Sequence, residues 1–326
     1  MPAEAILPAL SFGLATVPPF PAPSPRYSGE RVGVRGRPRF RSSDALDPAK
    51  ESRERKVEFS MTTTLPARIA MLGTELDPLT MRQAVETVLA WTRDGGDDEN
   101  PRCRYVVTPN VDHIVLLQHH AGLQAAYEQA NLILADGAPV VWASHLLGRS
   151  LPDRIPGSDL TPAIFAAVPA DQTLKIYLLG AMPGVAEVAA ANIEARWPQV
   201  KVTGCYSPPV GFEKSAAENE KILAQIAAAA PDLLIVGVGA PKQELWVHQH
   251  CEQIAAKGAL CVGATIDFLA GEKNRAPKWM RKVGLEWAHR LATEPKRLAS
   301  RYARDAWIFP QIVLRSYFRG SRALTK

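Results

Sequence analysis

The chain has 326 residues, of which 47% are hydrophobic and 22% charged, so it carries enough apolar material for a sizeable core and global disorder is excluded. Length alone sets an expectation of two domains. The formal net charge of +5 is too small to mark a nucleic-acid binder, but it averages three unlike segments. Residues 1–60 carry 10 basic and 7 acidic side chains, residues 61–272 carry 14 and 23, and residues 273–326 carry 14 and 3.

Residues 1–60 hold 9 of the 27 prolines and the Arg-rich stretch from Arg31 to Arg41. Such a segment buries too little apolar surface to offset its ordering entropy and reads as a disordered leader. Two accounts of it stay open: a basic interaction tail, or sequence upstream of a natural start at Met61. The apolar run from Ala5 to Val17 follows Glu4 rather than a basic residue and contains Pro8, which argues against a secretory signal.

From Leu65 onward strand-like and helix-like runs alternate. Asp77 and Pro78 read as N-cap and first residue of a helix whose apolar face is Met81, Val85, Val88 and Leu89. Short strands are expected at 104–108, 132–135, 174–179, 200–203, 232–238 and 259–262, each separated from the next by a helical stretch. That alternation predicts an α/β fold with Rossmann-like parallel sheet layers. From Pro277 the pattern is helical only, with Trp279, Val283, Trp287 and Leu291 at spacings of four. Arg290, Arg297, Arg301 and Arg304 would share a face if the helix continued through Pro295, where a break or kink is expected. The expected organisation is therefore a leader (1–60), a catalytic α/β domain (61–272) and a basic helical appendage (273–326).

Cys103, Cys205, Cys251 and Cys261 lie far apart, without a C-x-x-C pair or a His at ligand spacing, which fits a reduced protein without structural zinc. No uncharged apolar stretch reaches 18 residues, so no bilayer-spanning helix is expected. The pair His119–His120 reads as surface.

Three places put polar residues at the carboxyl ends of strands, where a parallel sheet places its chemistry. At Thr108-Pro109-Asn110, Asn110 is either a helix N-cap or a site residue. Asp136, in LADG, is either half of an Asp-Gly turn or a partly desolvated carboxylate suited to general-base work. Gly237-Val-Gly239-Ala-Pro-Lys-Gln243 is not a G-x-G-x-x-G fingerprint, yet it lets an anion approach backbone amides, and Gly180 to Gly184 does so more weakly; tight turning explains both nearly as well. No Asp-x-Asp occurs to hold a divalent ion, so Arg154 and the tail arginines are the groups available to neutralise a diphosphate. The tail tryptophans suit either core packing or a membrane surface.

Six blocks in order carry a resemblance: TPN at 108–110, LADG at 134–137, LGRSLPDRIPGSDL at 147–160, VGVGAPKQE at 236–244, GATIDFLAGEKNRAP at 263–277 and GLEWAHRLATEPKRLASRY at 284–302. Over about residues 66–318 the chain resembles the WecG/TagA/CpsF glycosyltransferases. The resemblance implies inverting transfer of a sugar from a UDP-sugar to an undecaprenyl-diphosphate-linked acceptor, without a cofactor or required metal, peripheral on the cytoplasmic face of an anionic membrane. It places the catalytic base at Asp136, with Thr108 and Asn110 beside it. Substrate binding falls to Arg154, Gly180, Gly237, Gly239, Gln243, Asp267, Arg290, Arg297 and Arg301. No nucleic-acid partner is implied, and a homo-oligomer is allowed. Two other readings stand beside this one: a nucleotide-dependent oxidoreductase on a Rossmann-like sheet, and a non-catalytic membrane-associated adaptor.

Overall fold

A computed structural model describes residues 65–93, 102–273 and 275–323, so the expectation for the leader lies outside the described residues. A short hairpin comes first, β1 (Ile69–Met71) and β2 (Thr74–Leu76), followed by α1 (Met81–Arg93). The sheet then opens with β3 (Arg104–Val107), α2 (Val111–Leu117), α3 (Ala121–Glu128), β4 (Leu132–Ile133), α4 (Ala138–Leu146) and α5 (Gly157–Ala166). It is completed by β5 (Leu174–Gly180), α6 (Val185–Arg196), β6 (Val200–Tyr206), α7 (Ala216–Ala229), β7 (Leu233–Gly237), α8 (Lys242–His250), β8 (Gly258–Cys261) and α9 (Thr265–Ala270). The tail forms α10 (Lys278–Lys282), α11 (Glu286–Thr293) and α12 (Pro295–Ala323).

The six longer-range strands form one sheet in the order β4-β3-β8-β7-β5-β6, with every neighbouring pair parallel. Each expected strand is present, shifted by a few residues at its ends. Because successive side chains leave opposite faces of a strand, alternate residues feed two cores. Tyr105, Val107, Leu179, Leu234, Val236 and Cys261 pack on one face with α2, α3, α7 and α8; Val106, Leu134, Leu178, Ile235 and Leu260 pack on the other with α1, α5, α6 and α9. A three-layer α/β/α stack results, in which the central strands β7 and β8 are apolar on both faces while the edge strand β6 carries the exposed Lys201.

Three expectations are corrected here. Asp77 does not cap α1. It is 5% exposed, and its backbone and carboxylate exchange hydrogen bonds with Ile133 at 2.9 and 2.7 Å, so that it pairs with the outer edge of β4; Arg68 holds its other oxygen at 3.1 Å. Capping falls instead to Thr80, whose hydroxyl and backbone N–H pair reciprocally with Gln83. His120 is not simply surface, because its ring accepts from the Leu123 N–H at the start of α3. The spacing of four in the tail does not run along one helix: Gly284, at φ +75°, separates α10 from α11, and Trp279, Val283 and Trp287 are exposed rather than core.

Pro295 acts as expected, since α11 stops at Thr293 and α12 begins at the proline, whose missing N–H is no loss in a first turn. Leu298, Phe309, Ile312 and Val313 of α12 are buried, the last three in the same core as α2. Among the described residues no helix is long and apolar enough to cross a membrane.

Candidate active site

Four strand ends, those of β3, β4, β7 and β8, open into a cleft of about 540 Å³ that α11 and α12 border. A larger hollow of about 750 Å³ lies under the β1–β2 hairpin, but it contains none of the polar strand-end residues, so the chemistry belongs to the first.

Asp136 follows β4 by three residues, and its backbone N–H is anchored on the Pro109 carbonyl at 2.9 Å. The side chain keeps partial access to the cleft, yet the protein packed around it pushes its pKa up from 3.8 to about 6. Burial is the main cause and the like charge of Glu286 adds to it, while Arg154, Arg290 and His113 oppose it. Its carboxylate takes part in no hydrogen bond or ion pair among the described residues, which leaves it free to accept a proton.

Thr108 and Asn110 stand beside it at the end of β3. The Thr108 hydroxyl donates to the Cys261 carbonyl at 3.3 Å and ties β3 to β8. Asn110 is the N-cap of α2, and it also lines the cleft, so the two readings of this residue coexist. Gly237 approaches the β8–α9 turn so closely that a Cβ would lie 2.7 Å from the Gly263 carbonyl; Gly239, at φ +88°, faces open space. Gln243 is 3% exposed, donating to Glu244 at 2.7 Å and accepting from the Gly263 N–H at 3.1 Å.

Arg154 reaches the cleft inside an ion-pair network. It lies 3.4 Å from Glu286 and 3.9 Å from Asp159, which Arg275 and Arg281 also hold. Arg290, from α11, lines the cleft and forms no ion pair among the described residues, whereas Arg301, from α12, is paired with Asp112 at 3.3 Å. Asp267 faces the cleft and Lys273 at 3.7 Å.

Ten of the twelve expected site residues therefore border one cleft. Gly180 does not: a Cβ there would lie 2.5 Å from the Gly237 carbonyl carbon, so its φ of +126° and bare Cα serve strand contact rather than an anion. The side chain of Arg297 lies outside the described residues. The cleft also contains residues that strand-end reasoning overlooks, among them Asp112, His113 and Glu286. Asp112 and His113 read as ordinary positions on a helix, and only the fold brings α11 above Asp136.

Residues 69–323 match the family model described as "Glycosyl transferase WecG/TagA/CpsF family". The chain belongs to the WecG/TagA/CpsF family. It is similar to the N-acetylglucosaminyldiphosphoundecaprenol N-acetyl-beta-D-mannosaminyltransferase of Staphylococcus aureus strain MRSA252, 32% identical over 232 residues that make up 71% of this chain and 87% of the relative. The proteins of the same description from strains NCTC 8325 / PS 47 and COL are 31% identical over the same shares. This WecG/TagA/CpsF chain is a glycosyltransferase, and the oxidoreductase and adaptor readings lapse.

Proposed function

We propose that the enzyme transfers an N-acetylmannosaminyl group from its UDP derivative to an N-acetylglucosaminyl-diphosphate-undecaprenol acceptor, with inversion, in the synthesis of a cell-surface polysaccharide. The sugar and acceptor come from the descriptions of the staphylococcal relatives. The observation that carries the chemistry is the Asp136 carboxylate, without a hydrogen-bond or ion-pair partner among the described residues and held near pKa 6 in a cleft bordered by arginines.

In a direct displacement the acceptor hydroxyl gives its proton to Asp136 while its oxygen bonds to the anomeric carbon. The bond from that carbon to the diphosphate oxygen breaks on the opposite face. UDP leaves as an anion, so it needs charge neutralisation rather than a proton donor. Arg290 has no ion-pair partner among the described residues; Arg154 and Arg301 would have to leave Glu286 and Asp112 in part to contribute. Gly237 and Gly239 give a phosphate access to the backbone.

The basic tail exposes Trp279, Trp307, Tyr317 and Phe318 alongside its arginines. Exposed aromatic rings among cations suit the interface of an anionic membrane, where the lipid acceptor resides, so we place the enzyme there as a peripheral protein. The test is UDP release from a panel of UDP-sugars with a lipid-diphosphate-linked N-acetylglucosamine acceptor. Acceptor-dependent release with UDP-N-acetylmannosamine is expected, and its absence, with release from another UDP-sugar, would reassign the donor.

A further inference from the structure

In the wall of the cleft His113 meets the buried Glu244, a pair for which proton transfer and diphosphate binding have no use. Glu244 is fully buried on α8 and His113 is 6% exposed on α2; Nε2 of the ring lies 3.3 Å from Oε1 of the carboxylate. The same Oε1 accepts from Gln243, while Oε2 is buried without a partner among the described residues. A carboxylate so desolvated is costly unless a cation compensates it.

The other face of the ring points to Asn110. Nδ1 lies 3.0 Å from the Asn110 side-chain oxygen, which also accepts the His113 backbone N–H at 3.4 Å as the helix cap. Nδ1 lies 3.3 Å from the Asn110 backbone N–H as well. The two Nδ1 contacts exclude each other, because a neutral Nδ1 accepts from the backbone and a protonated one donates to the amide oxygen. Burial is the largest single effect on the ring and opposes its protonation, but the carboxylates around it together outweigh burial and favour the second. Glu244, Asp112 and Asp136 all raise the His113 pKa against the opposing effect of burial, and the remaining titratable neighbour, Tyr127, is held neutral by burial and by the same carboxylates.

We infer that Glu244 holds His113 as an imidazolium that donates to the side-chain oxygen of Asn110, fixing the Asn110 amide so that its nitrogen is presented to the substrate beside Asp136. His113 and Glu244 are then positioning residues for a donor in the cleft wall. Through Gln243, which links Glu244 to the Gly263 N–H, the same carboxylate also braces the β8–α9 turn. This role rests on the glycosyl-transfer reading for its kinetics but not for its structure.

The test compares the full-length wild type with Glu244→Gln, Asn110→Ala and the double variant in the UDP-release assay. Misplacing a reacting or binding group costs roughly ten- to a hundred-fold in rate. Glu244→Gln should lower kcat by that factor while the KM for the UDP-sugar stays within about three-fold. Asn110→Ala should lose as much, and the double variant should lose no more than the worse single one, since both act through one amide. Unchanged kcat in Glu244→Gln, or losses that multiply, would overturn the inference. Where Glu244→Gln fails to fold, nitrogen NMR of the wild-type histidines decides: at pH 7 both ring nitrogens of His113 should be protonated, and a bare Nδ1 rejects the inference. A wild type that releases no UDP with any donor sinks the functional proposal instead, and the NMR result still stands on its own.

Discussion

The carboxylate of Asp112, at the start of α2, holds Arg301 of α12 at 3.3 Å, and its other oxygen takes Arg304 at 2.5 Å. One acidic side chain of the sheet domain thereby fastens the cationic tail at the edge of the cleft. Asp112→Asn should remove both pairs. The arginines are 37% and 43% exposed, so solvent discounts each pair to the range of surface ion pairs, about 1 kcal/mol together. The buried Leu298, Phe309, Ile312 and Val313 keep α12 docked. The expected outcome is a fall in Tm of about 2–4 °C, smaller in high salt, with faster proteolysis of the tail. A Tm lowered by more than about 10 °C would show that the helix depends on Asp112 for docking.

Asp136 gives a prediction with two signs. Its carboxyl must be ionised to act as a base, so turnover should fall as pH drops through about 6, far above the usual carboxylate range. Stability runs the other way. A folded pKa raised above the unfolded one means that stability is fullest below pH 3.8, declines from there to about 6, and stays lower above it. Asp136→Asn removes that cost of roughly 3 kcal/mol at neutral pH. The variant should lose turnover by at least about a hundred-fold yet melt higher than the wild type at pH 8, with the gain gone at pH 4. Retained turnover would dismiss Asp136 as the base.

Glu286 belongs to the same electrostatics. It raises the Asp136 pKa and pairs with Arg154 at 3.4 Å. Glu286→Gln should move the acid limb of the pH–rate profile to lower pH, because a like charge is gone. It should also free Arg154 toward a diphosphate, lowering the KM for the UDP-sugar. An unmoved acid limb would separate Glu286 from the base.

How much of this was legible in the sequence depended on how local the signal was. The strands could be read because residues such as Ile176 to Leu179 and Leu233 to Val236 are apolar on both faces, a pattern only a sheet covered on both sides requires. Asp136 and Thr108 were legible because a parallel sheet collects strand ends at one edge. Asp77 was misread because Asp-Pro is a fair cap signal, while its real partner, the edge of β4, lies 56 residues away. The link from Asn110 through His113 to Glu244 was invisible for the same reason: 131 residues separate the ring from its carboxylate. Arg290 and Arg301 looked equivalent in sequence, and only the fold pairs one of them with Asp112.

Gly180 and Gly239 were both candidate phosphate-binding glycines, Gly180 the weaker, and their alanine variants should separate them. At Gly180 an added Cβ would meet the Gly237 backbone at 2.5 Å, and φ is +126°. Neither can relax without parting β5 from β7, so Gly180→Ala should cost about 3 kcal/mol or more and lower soluble yield. At Gly239 nothing lies within 4 Å and φ is +88°, so Gly239→Ala pays only for the left-handed backbone, about 1–2 kcal/mol. Its main effect should be a methyl group in the cleft, seen as weaker UDP binding in calorimetry with the protein still folded. Equal melting temperatures for the two variants would refute this division of roles. Weakened UDP binding in a folded Gly180→Ala protein would restore that loop to the anion site.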